Sequence, residues 1–169
     1  MTEEPLKVSL RVATPEDAHA IFELNQALKS EDLYIVNEGL PDTESDERAF
    51  LEYLKPDKTL FLLALDGGAL VGYTLSIIGQ FRMNAHTADI GISVKREYRG
   101  RGVGTQIMEG TFARLAKMGV KKATLSVFSP NRDAIRFYRR LGFIAEGARK
   151  RQWLFHKEYI DEVIMAKWI

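Results

Sequence analysis

The stretch that decides the fold runs from residue 90 to residue 104 and reads Ile90-Gly-Ile-Ser-Val-Lys-Arg-Glu-Tyr-Arg-Gly-Arg-Gly-Val-Gly104. An apolar strand leads into a loop with glycines at 100, 102 and 104, and a helical pattern begins at once. Glycine lets backbone N–H groups turn toward a ligand and approach it closely. The helix start adds unpaired N–H donors and the positive end of the helix dipole. The stretch therefore predicts a pyrophosphate site that needs no metal ion.

Two other phosphate-binding motifs do not fit this loop. The dinucleotide fingerprint G-x-G-x-x-G, read from Gly100, requires glycine where the chain has Thr105. Read from Gly102, it requires glycine where the chain has Ile107. No Gly-Lys-Ser/Thr sequence occurs, so a P-loop is excluded. Taken alone, the loop is still open to a second interpretation, a plain glycine-rich turn between a strand and a helix.

A second informative segment spans residues 129–143, where a strand pattern is followed by a short amphipathic helix. Asn131 and Tyr138 are seven residues apart in it, close to two helical turns, so both point to the same side. An amide at the helix start and a phenol two turns later would line one groove. Each also has a structural alternative, because Asn131 is a good N-cap residue and Tyr138 can be a half-buried aromatic residue.

The rest of the chain has the pattern of one mixed α/β domain over residues 1–169, with no repeat or linker that would split it. Apolar alternation predicts strands and a period near 3.6 predicts helices. The predicted order around one central sheet is β-α-α-β-β-β-α-β-α-β-β. The predicted strands are 6–12, 59–65, 69–78, 85–94, 123–128, 143–155 and 159–167, and the predicted helices begin near Thr14, Thr43, Val103 and Asn131.

The amino-acid composition excludes several kinds of site and of catalytic intermediate. A net charge of +1 gives no global field that would favour nucleic acid or an anionic membrane. The absence of cysteine excludes disulfides, thiolate zinc sites and an acyl-cysteine intermediate, and the three histidines match no metal spacing. No secretory signal is recognisable, and the apolar runs are too short to span a bilayer. We therefore expect a cytoplasmic protein without a metal.

Together the two segments resemble the GNAT superfamily of N-acetyltransferases. Arg99-x-x-Gly102-x-Gly104 matches the R/Q-x-x-G-x-G/A loop that binds acetyl-CoA in that family, and residues 131–143 match its second conserved segment, N-x-x-A-I-x-F-Y-x-x-L-G-F. The resemblance covers nearly the whole chain. It implies direct transfer of the acetyl group of acetyl-CoA to a primary amine. The acceptor is left open among small amines, amino acids, polyamines and protein N-termini, and the alternative from another class is a non-catalytic acyl-CoA-binding module.

The resemblance also assigns roles to residues. The fourth strand would splay from the fifth and carry the pantetheine arm of CoA along Ile92, Ser93 and Val94. The Val94 N–H would polarise the thioester carbonyl. Asn131 would hydrogen-bond pantetheine, and Tyr138 would protonate the departing CoA thiolate. The backbone N–H groups that would bind the CoA pyrophosphate are those of Arg99, Gly100, Arg101, Gly102, Val103, Gly104 and Thr105.

The general base has two candidates. Asp89 shares a strand face with Gly91 and Ser93, and Glu38 lies in the loop after the first helix, which in this family often shapes the acceptor site. Both acids have a simpler interpretation as solvent-facing residues. Five residues of strand, about 17 Å, separate Asp89 from Val94, so a bridging water or an extended substrate would have to close the gap.

Two further questions stay open at this point. Arg132, Arg136, Arg139 and Arg140 would either face the 3′-phosphate of CoA or form a solvated helix face. Homodimers are common among similar proteins, and the sequence leaves the oligomeric state open. No aromatic and basic platform for nucleic acid is visible.

Overall fold

The apolar patterns fold into seven strands and four α-helices, in a computed structural model that describes residues 6–31 and 39–169. The predicted order of elements is confirmed. The strands are β1 (Ser9–Val12), β2 (Thr59–Asp66), β3 (Ala69–Ile78), β4 (Thr87–Val94), β5 (Lys122–Phe128), β6 (Ile144–Phe155) and β7 (Glu158–Trp168). The helices are α1 (Ala18–Lys29), α2 (Glu44–Tyr53), α3 (Val103–Lys117) and α4 (Arg132–Arg140).

Two strands begin two or three residues later than the sequence pattern predicts, and one helix is preceded by a 3-10 turn. The strand expected from residue 6 starts at Ser9, and the one expected from residue 85 starts at Thr87. The helix expected at Thr14 opens with a 3-10 turn, Pro15–Asp17, before α1. Asp17 stabilises that turn, because its carboxylate accepts the Thr14 N–H at 2.8 Å and pairs with both terminal nitrogens of Arg11 at 2.6 and 2.7 Å.

All seven strands join one sheet in the order β1-β2-β3-β4-β5-β7-β6. Every neighbouring pair is antiparallel except β4 and β5. That parallel pair is short, since its register begins at Thr87 opposite Lys122 and ends at Asp89 opposite Thr124. The rest of β4 remains paired with β3, and the rest of β5 remains paired with β7. A gap therefore opens in the middle of the sheet beyond Asp89.

The helices cover the sheet unequally. On one face, Ile21, Leu24 and Leu28 of α1 and Leu51 of α2 are buried against β2 and β3. On the other face, α3 and α4 pack across the centre of the sheet, where Met108 and Leu115 are fully buried. On the α1 side, the strands that border the gap carry polar residues, among them Asp89 and Ser93 of β4 and Thr124 and Ser126 of β5. The gap is thus lined by helices on one side and by polar strand residues on the other.

Gly72 of β3 allows β4 and α3 to approach closely at the end of the gap. A Cβ atom at this position would lie 2.7 Å from the Ser93 carbonyl oxygen and 3.0 Å from Ile107 Cδ1. Both distances are shorter than normal packing permits. A glycine here holds the last residues of β4 directly beside the first turns of α3, and this contact positions the candidate site.

Candidate active site

The last residues of β4 present backbone groups to the gap. Two hydrogen bonds at the ends of the β3–β4 pair show which residues of β4 bond to β3. They run from the Gly79 N–H to the Thr87 oxygen (3.0 Å) and from the Lys95 N–H to the Val71 oxygen (2.9 Å). Odd-numbered residues of β4 bond to β3, so the N–H and C=O groups of even-numbered residues point away from it. Ile92 and Val94 therefore direct their backbones into the gap, whereas Ser93 directs its backbone to β3. A chain-like ligand can pair with β4 there as a strand would.

The loop after β4 exposes a run of backbone donors. Gly100 and Gly102 have φ angles of +71° and +81°, which only glycine adopts without strain. The first N–H of α3 that finds a helical acceptor is that of Gln106, bonded to the Gly102 oxygen at 3.1 Å. Among the described residues, no hydrogen bond uses the N–H groups from residue 100 to residue 105. Free donors at the positive end of a helix dipole are suited to bind an anion.

Arg99 departs from the sequence expectation. Its backbone N–H donates to the Arg96 oxygen at 3.2 Å and is not free for a phosphate. Its side chain instead donates from Nε to the Val94 carbonyl oxygen at 2.9 Å and forms a bidentate ion pair with Glu31 at 2.6 and 3.0 Å. Arg99 thus shapes the loop through its side chain. No local pattern predicts this pairing, because Glu31 lies just beyond α1 and Val94 ends β4.

Gly104 brings α3, α4 and β4 together. A Cβ atom at this position would lie 3.2 Å from Phe137 Cζ and 3.8 Å from Ile92 Cδ1. Val103, the residue before it, is fully buried. The third glycine of the loop therefore serves close packing, and it sets the donors of α3 next to both the gap and α4. A cavity of about 430 Å³ opens beside these donors, lined by Lys7, Gly102, Thr105 and Gln106.

The two candidate residues of α4 differ in what they already bind. Asn131 is the N-cap of α4, with its Oδ1 accepting the Ala134 N–H at 3.2 Å, which leaves only its amide NH₂ for a ligand. Tyr138 is half-buried among Phe137, Phe143 and other apolar side chains, and its hydroxyl bonds to no described residue. Burial raises the pKa of Tyr138 to about 12. The phenol is therefore protonated at neutral pH and has a proton to give.

Two hydrogen-bonded pairs of polar side chains lie on the opposite face of the gap. Thr124 Oγ1 of β5 lies 3.1 Å from Asp89 Oδ1 of β4. On the neighbouring strands, Arg149 Nη1 of β6 donates to Glu162 Oε2 of β7 at 2.8 Å. Sequence reasoning found Asp89 and missed the other three, because only the strand order places these four strands side by side.

The two carboxylates of this group have opposite pKa shifts. Although Asp89 is exposed, partial desolvation raises its pKa and the negative charge of Glu162 raises it further, whereas the Thr124 hydrogen bond and the Arg149 charge lower it. Glu162 is only 5% exposed, and that burial acts to raise its pKa. Hydrogen bonds from Ser126 and Arg149 outweigh this effect, so the pKa of Glu162 lies below its ordinary value. Glu162 is thus the more strongly ionised acid of the two.

The positions of these acids along the gap also differ. Asp89 is level with Thr124, where the pairing of β4 with β5 ends. Glu162 is opposite Phe128, four residues farther along β5 in the direction of Val94, or about 13 Å. The other predicted acid, Glu38, lies outside the described residues.

The other sequence predictions concern the arginines of α4, a metal site and membrane-spanning segments. Arg132, Arg136, Arg139 and Arg140 are all exposed on α4, and Arg136 pairs with Asp133. Within residues 6–31 and 39–169, no group of three or more His, Asp or Glu side chains is arranged to hold a metal ion. No helix in these ranges is long and apolar enough to cross a membrane.

The chain is similar to known acetyltransferases. The model of the Acetyltransferase (GNAT) family matches residues 19–143. The L-amino acid N-acetyltransferase AaaT of Escherichia coli K12 is 33% identical over 107 residues, which are 63% of this chain and 66% of that protein.

Two solved structures have the same fold. A GNAT-family acetyltransferase from Streptococcus pneumoniae has a TM-score of 0.88 at 24% identity, over 96% of this chain and 100% of the other. A phosphinothricin acetyltransferase from Sinorhizobium meliloti, solved in complex with acetyl-CoA, has a TM-score of 0.83 at 21% identity, over 96% and 88%. The chain therefore belongs to the GNAT family of acetyltransferases, enzymes that pass the acetyl group of acetyl-CoA to an amine.

Proposed function

We propose that this N-acetyltransferase holds acetyl-CoA in the gap between β4 and β5 and transfers the acetyl group directly to the α-amino group of a small amino acid. The observation that carries the proposal is the presence of two sets of free backbone donors at the gap, one at Val94 at the end of β4 and one at residues 100–105, which lead into α3. These donors match a thioester carbonyl at one end and a pyrophosphate at the other.

In this proposal, different parts of the chain bind different parts of acetyl-CoA. The N–H groups from Gly100 to Thr105 hold the pyrophosphate, and the Asn131 amide reaches the pantetheine arm. The backbones of Ile92 and Val94 pair with the same arm as a strand would. The Val94 N–H then lies against the thioester oxygen and stabilises the negative charge that develops on it.

The transfer needs no covalent intermediate on the enzyme. The neutral amine attacks the thioester carbon, and the tetrahedral adduct collapses with cleavage of the C–S bond. Tyr138 gives its proton to the leaving thiolate and recovers one from solvent. Before the attack, Asp89 takes a proton from the ammonium form of the acceptor through water and releases it to solvent, because Asp89 is too far along β4 for direct contact. The proton that the nitrogen loses as the amide forms also passes to solvent. The products are an N-acetylated acceptor and free CoA.

The acceptor class is supported by two observations. The chain is similar to a protein named as an L-amino acid N-acetyltransferase. Asp89, Glu162 and Arg149 also offer both signs of charge on the open face of the gap, which suits a zwitterion. We expect the reaction to take place in the cytoplasm, and a homodimer remains a prediction.

The test is an acetyl-CoA turnover screen with the L-amino acids, their amides, polyamines and short peptides, read by release of free CoA and by the mass of the product. We expect amino acids to be the best acceptors. Turnover of peptides or polyamines alone would overturn the acceptor class. CoA binding without release in the presence of any acceptor would favour the non-catalytic acyl-CoA-binding module.

A further inference from the structure

The Arg99 side chain joins three parts of the molecule. Its Nε donates to the Val94 carbonyl oxygen at 2.9 Å, at the end of β4. Its two terminal nitrogens donate to the two carboxylate oxygens of Glu31, 68 positions earlier in the chain and just beyond α1. We call this set of three hydrogen bonds the Arg99 clamp. It connects the loop that precedes α3 to the last residue of the gap and to the end of α1.

Glu31 lies at a position where a carboxylate is normally unfavourable. Glu31 follows the last turn of α1, where the negative end of the helix dipole disfavours a carboxylate. A bidentate arginine offsets that cost, and such pairs fix geometry more tightly than a single contact does. The side chain of Glu31 is only 14% exposed and that of Arg99 35%, so solvent screens the pair less than it screens a surface pair.

The clamp acts on the peptide group that follows the proposed oxyanion donor. The N–H and C=O groups of Val94 point to the same side of β4, into the gap. An uncapped carbonyl oxygen there would repel the negative charge that develops on the thioester oxygen. Arg99 Nε–H occupies that carbonyl, and the Lys95 N–H of the same peptide group is bonded to Val71.

We infer that Arg99 is a positioning residue for acetyl transfer: it caps the Val94 carbonyl and holds the end of β4 so that the Val94 N–H faces the thioester, and Glu31 holds Arg99 in that pose. The inference rests on the proposed function for the identity of the thioester. The neighbouring arginine does not share this role, since Arg101 lies over the ring of Tyr98, 5.5 Å from its centroid.

The kinetic test compares Arg99→Gln, Glu31→Gln and the double variant with Arg11→Gln, which breaks a bidentate pair of similar geometry far from the gap. We expect Arg99→Gln to lower kcat about 10-fold, less than removal of an oxyanion donor itself, while the Kd for acetyl-CoA changes little. Glu31→Gln should lower kcat about 3-fold, and the double variant should be no worse than Arg99→Gln because both changes break one unit.

Three kinetic results would overturn the inference. A kcat for Arg99→Gln equal to that of Arg11→Gln would remove any catalytic effect of the clamp. A loss confined to the Kd for acetyl-CoA would make Arg99 a binding residue. Independent effects that multiply in the double variant would mean that Glu31 does not act through Arg99.

A second measurement does not depend on turnover. The Lys95 amide belongs to the same peptide group as the Val94 carbonyl, so its ¹H–¹⁵N resonance reports on the hydrogen bond from Arg99. We expect this resonance to move in Arg99→Gln and in Glu31→Gln, and to stay in place in Arg11→Gln. An unmoved resonance in Arg99→Gln would exclude the clamp. A moved resonance in a protein that acetylates no amine would leave the clamp standing and overturn the proposed function.

Discussion

The two sides of the gap between β4 and β5 consist of different chemical groups, backbone on one side and side chains on the other. The proposed cofactor side, residues 92–94 and 100–105, consists mainly of backbone N–H groups supplied by one continuous stretch. The proposed acceptor side consists of the side chains of Asp89, Thr124, Arg149 and Glu162, which four different strands supply. A site made of backbone tolerates many side chains as long as its glycines stay. A site made of side chains can change its ligand with a single substitution.

Tyr138 is the exception on the cofactor side, because we propose that this side chain, and not a backbone group, protonates the leaving thiolate. We expect Tyr138→Phe to lower kcat by about 100-fold while the Kd for CoA stays constant, since only the proton donor is lost. The pKa of about 12 means that the wild-type enzyme keeps this proton across the assay range. Its kcat should therefore show no alkaline loss from this group near pH 10, where an ordinary tyrosine titrates.

The control for this substitution is Tyr53→Phe, on an exposed tyrosine at the end of α2. It removes the same hydroxyl without touching the gap and should leave kcat unchanged. Stopped-flow or continuous thiol assays of both variants across pH decide the matter. Equal kcat values for Tyr138→Phe and wild type would mean that water protonates the thiolate.

Glycine substitution tests the backbone character of the cofactor side. Gly100 and Gly119 have φ angles of +71° and +88°, and a Cβ atom at either position would meet no atom within 4 Å. Valine should destabilise the fold by a similar amount at both, about 1–2 kcal/mol. Only Gly100→Val should also raise the Kd for acetyl-CoA, by about 10-fold, because it crowds the loop donors. Calorimetric titration that finds equal Kd values for the two variants would place the pyrophosphate elsewhere.

The same difference between backbone and side-chain groups explains which parts of the site could be predicted from the sequence. The gap-side strand, the loop and α3 are contiguous, so the sequence pattern could mark Gly100 and Gly102 as parts of one loop, and the resemblance to the GNAT superfamily supplied their predicted role. The pattern did not reveal that Gly104 packs against Phe137, because α4 lies more than 25 residues later in the chain. Glu162 and Arg149 carried no local signal either. They become neighbours of Asp89 only because β7 inserts between β5 and β6 in the sheet.

A pH profile tests whether the acids of the acceptor side act together. Asp89 must be deprotonated to accept a proton, so kcat/KM should fall as the pH drops through its raised pKa. Asp89→Asn should lower kcat/KM about 5-fold at neutral pH, a small general-base effect because water carries the proton, and recover at high pH where the amine is already neutral.

The neighbouring acid supplies a second variant with its own signature. Glu162→Gln removes a negative charge that raises the pKa of Asp89, so the acid limb of the profile should move to lower pH. Asp57→Asn, on an exposed turn, is the control. Profiles of both site variants that overlay the wild type would leave Asp89 as a surface acid, and Glu38 or bulk water would become the better candidate.

The smallest expected effect concerns the buried polar network on the α1 side of the sheet. The carboxylate of Glu47, 1% exposed, accepts from Asn25 Nδ2 at 3.1 Å, and Tyr73 donates from its hydroxyl to Asn25 Oδ1 at 2.6 Å. Burial raises the pKa of Glu47 above its ordinary value of 4.5, and the Asn25 hydrogen bond only partly opposes this. The folded protein therefore holds the Glu47 proton more tightly than the unfolded chain does.

The sign of the stability change follows from that order of pKa values. The contribution of Glu47 is complete below its ordinary pKa and is lost as the pH rises through the raised pKa of the folded state. Glu47→Gln keeps an acceptor for Asn25 but cannot ionise, so its Tm relative to wild type should rise with pH by about 2–4 °C for each kcal/mol involved. Glu52→Gln, an exposed acid on the same helix, should give a flat difference. Thermal melts between about pH 4 and about pH 8 measure both. A flat difference for Glu47→Gln would mean that its carboxyl titrates alike in the folded and unfolded states.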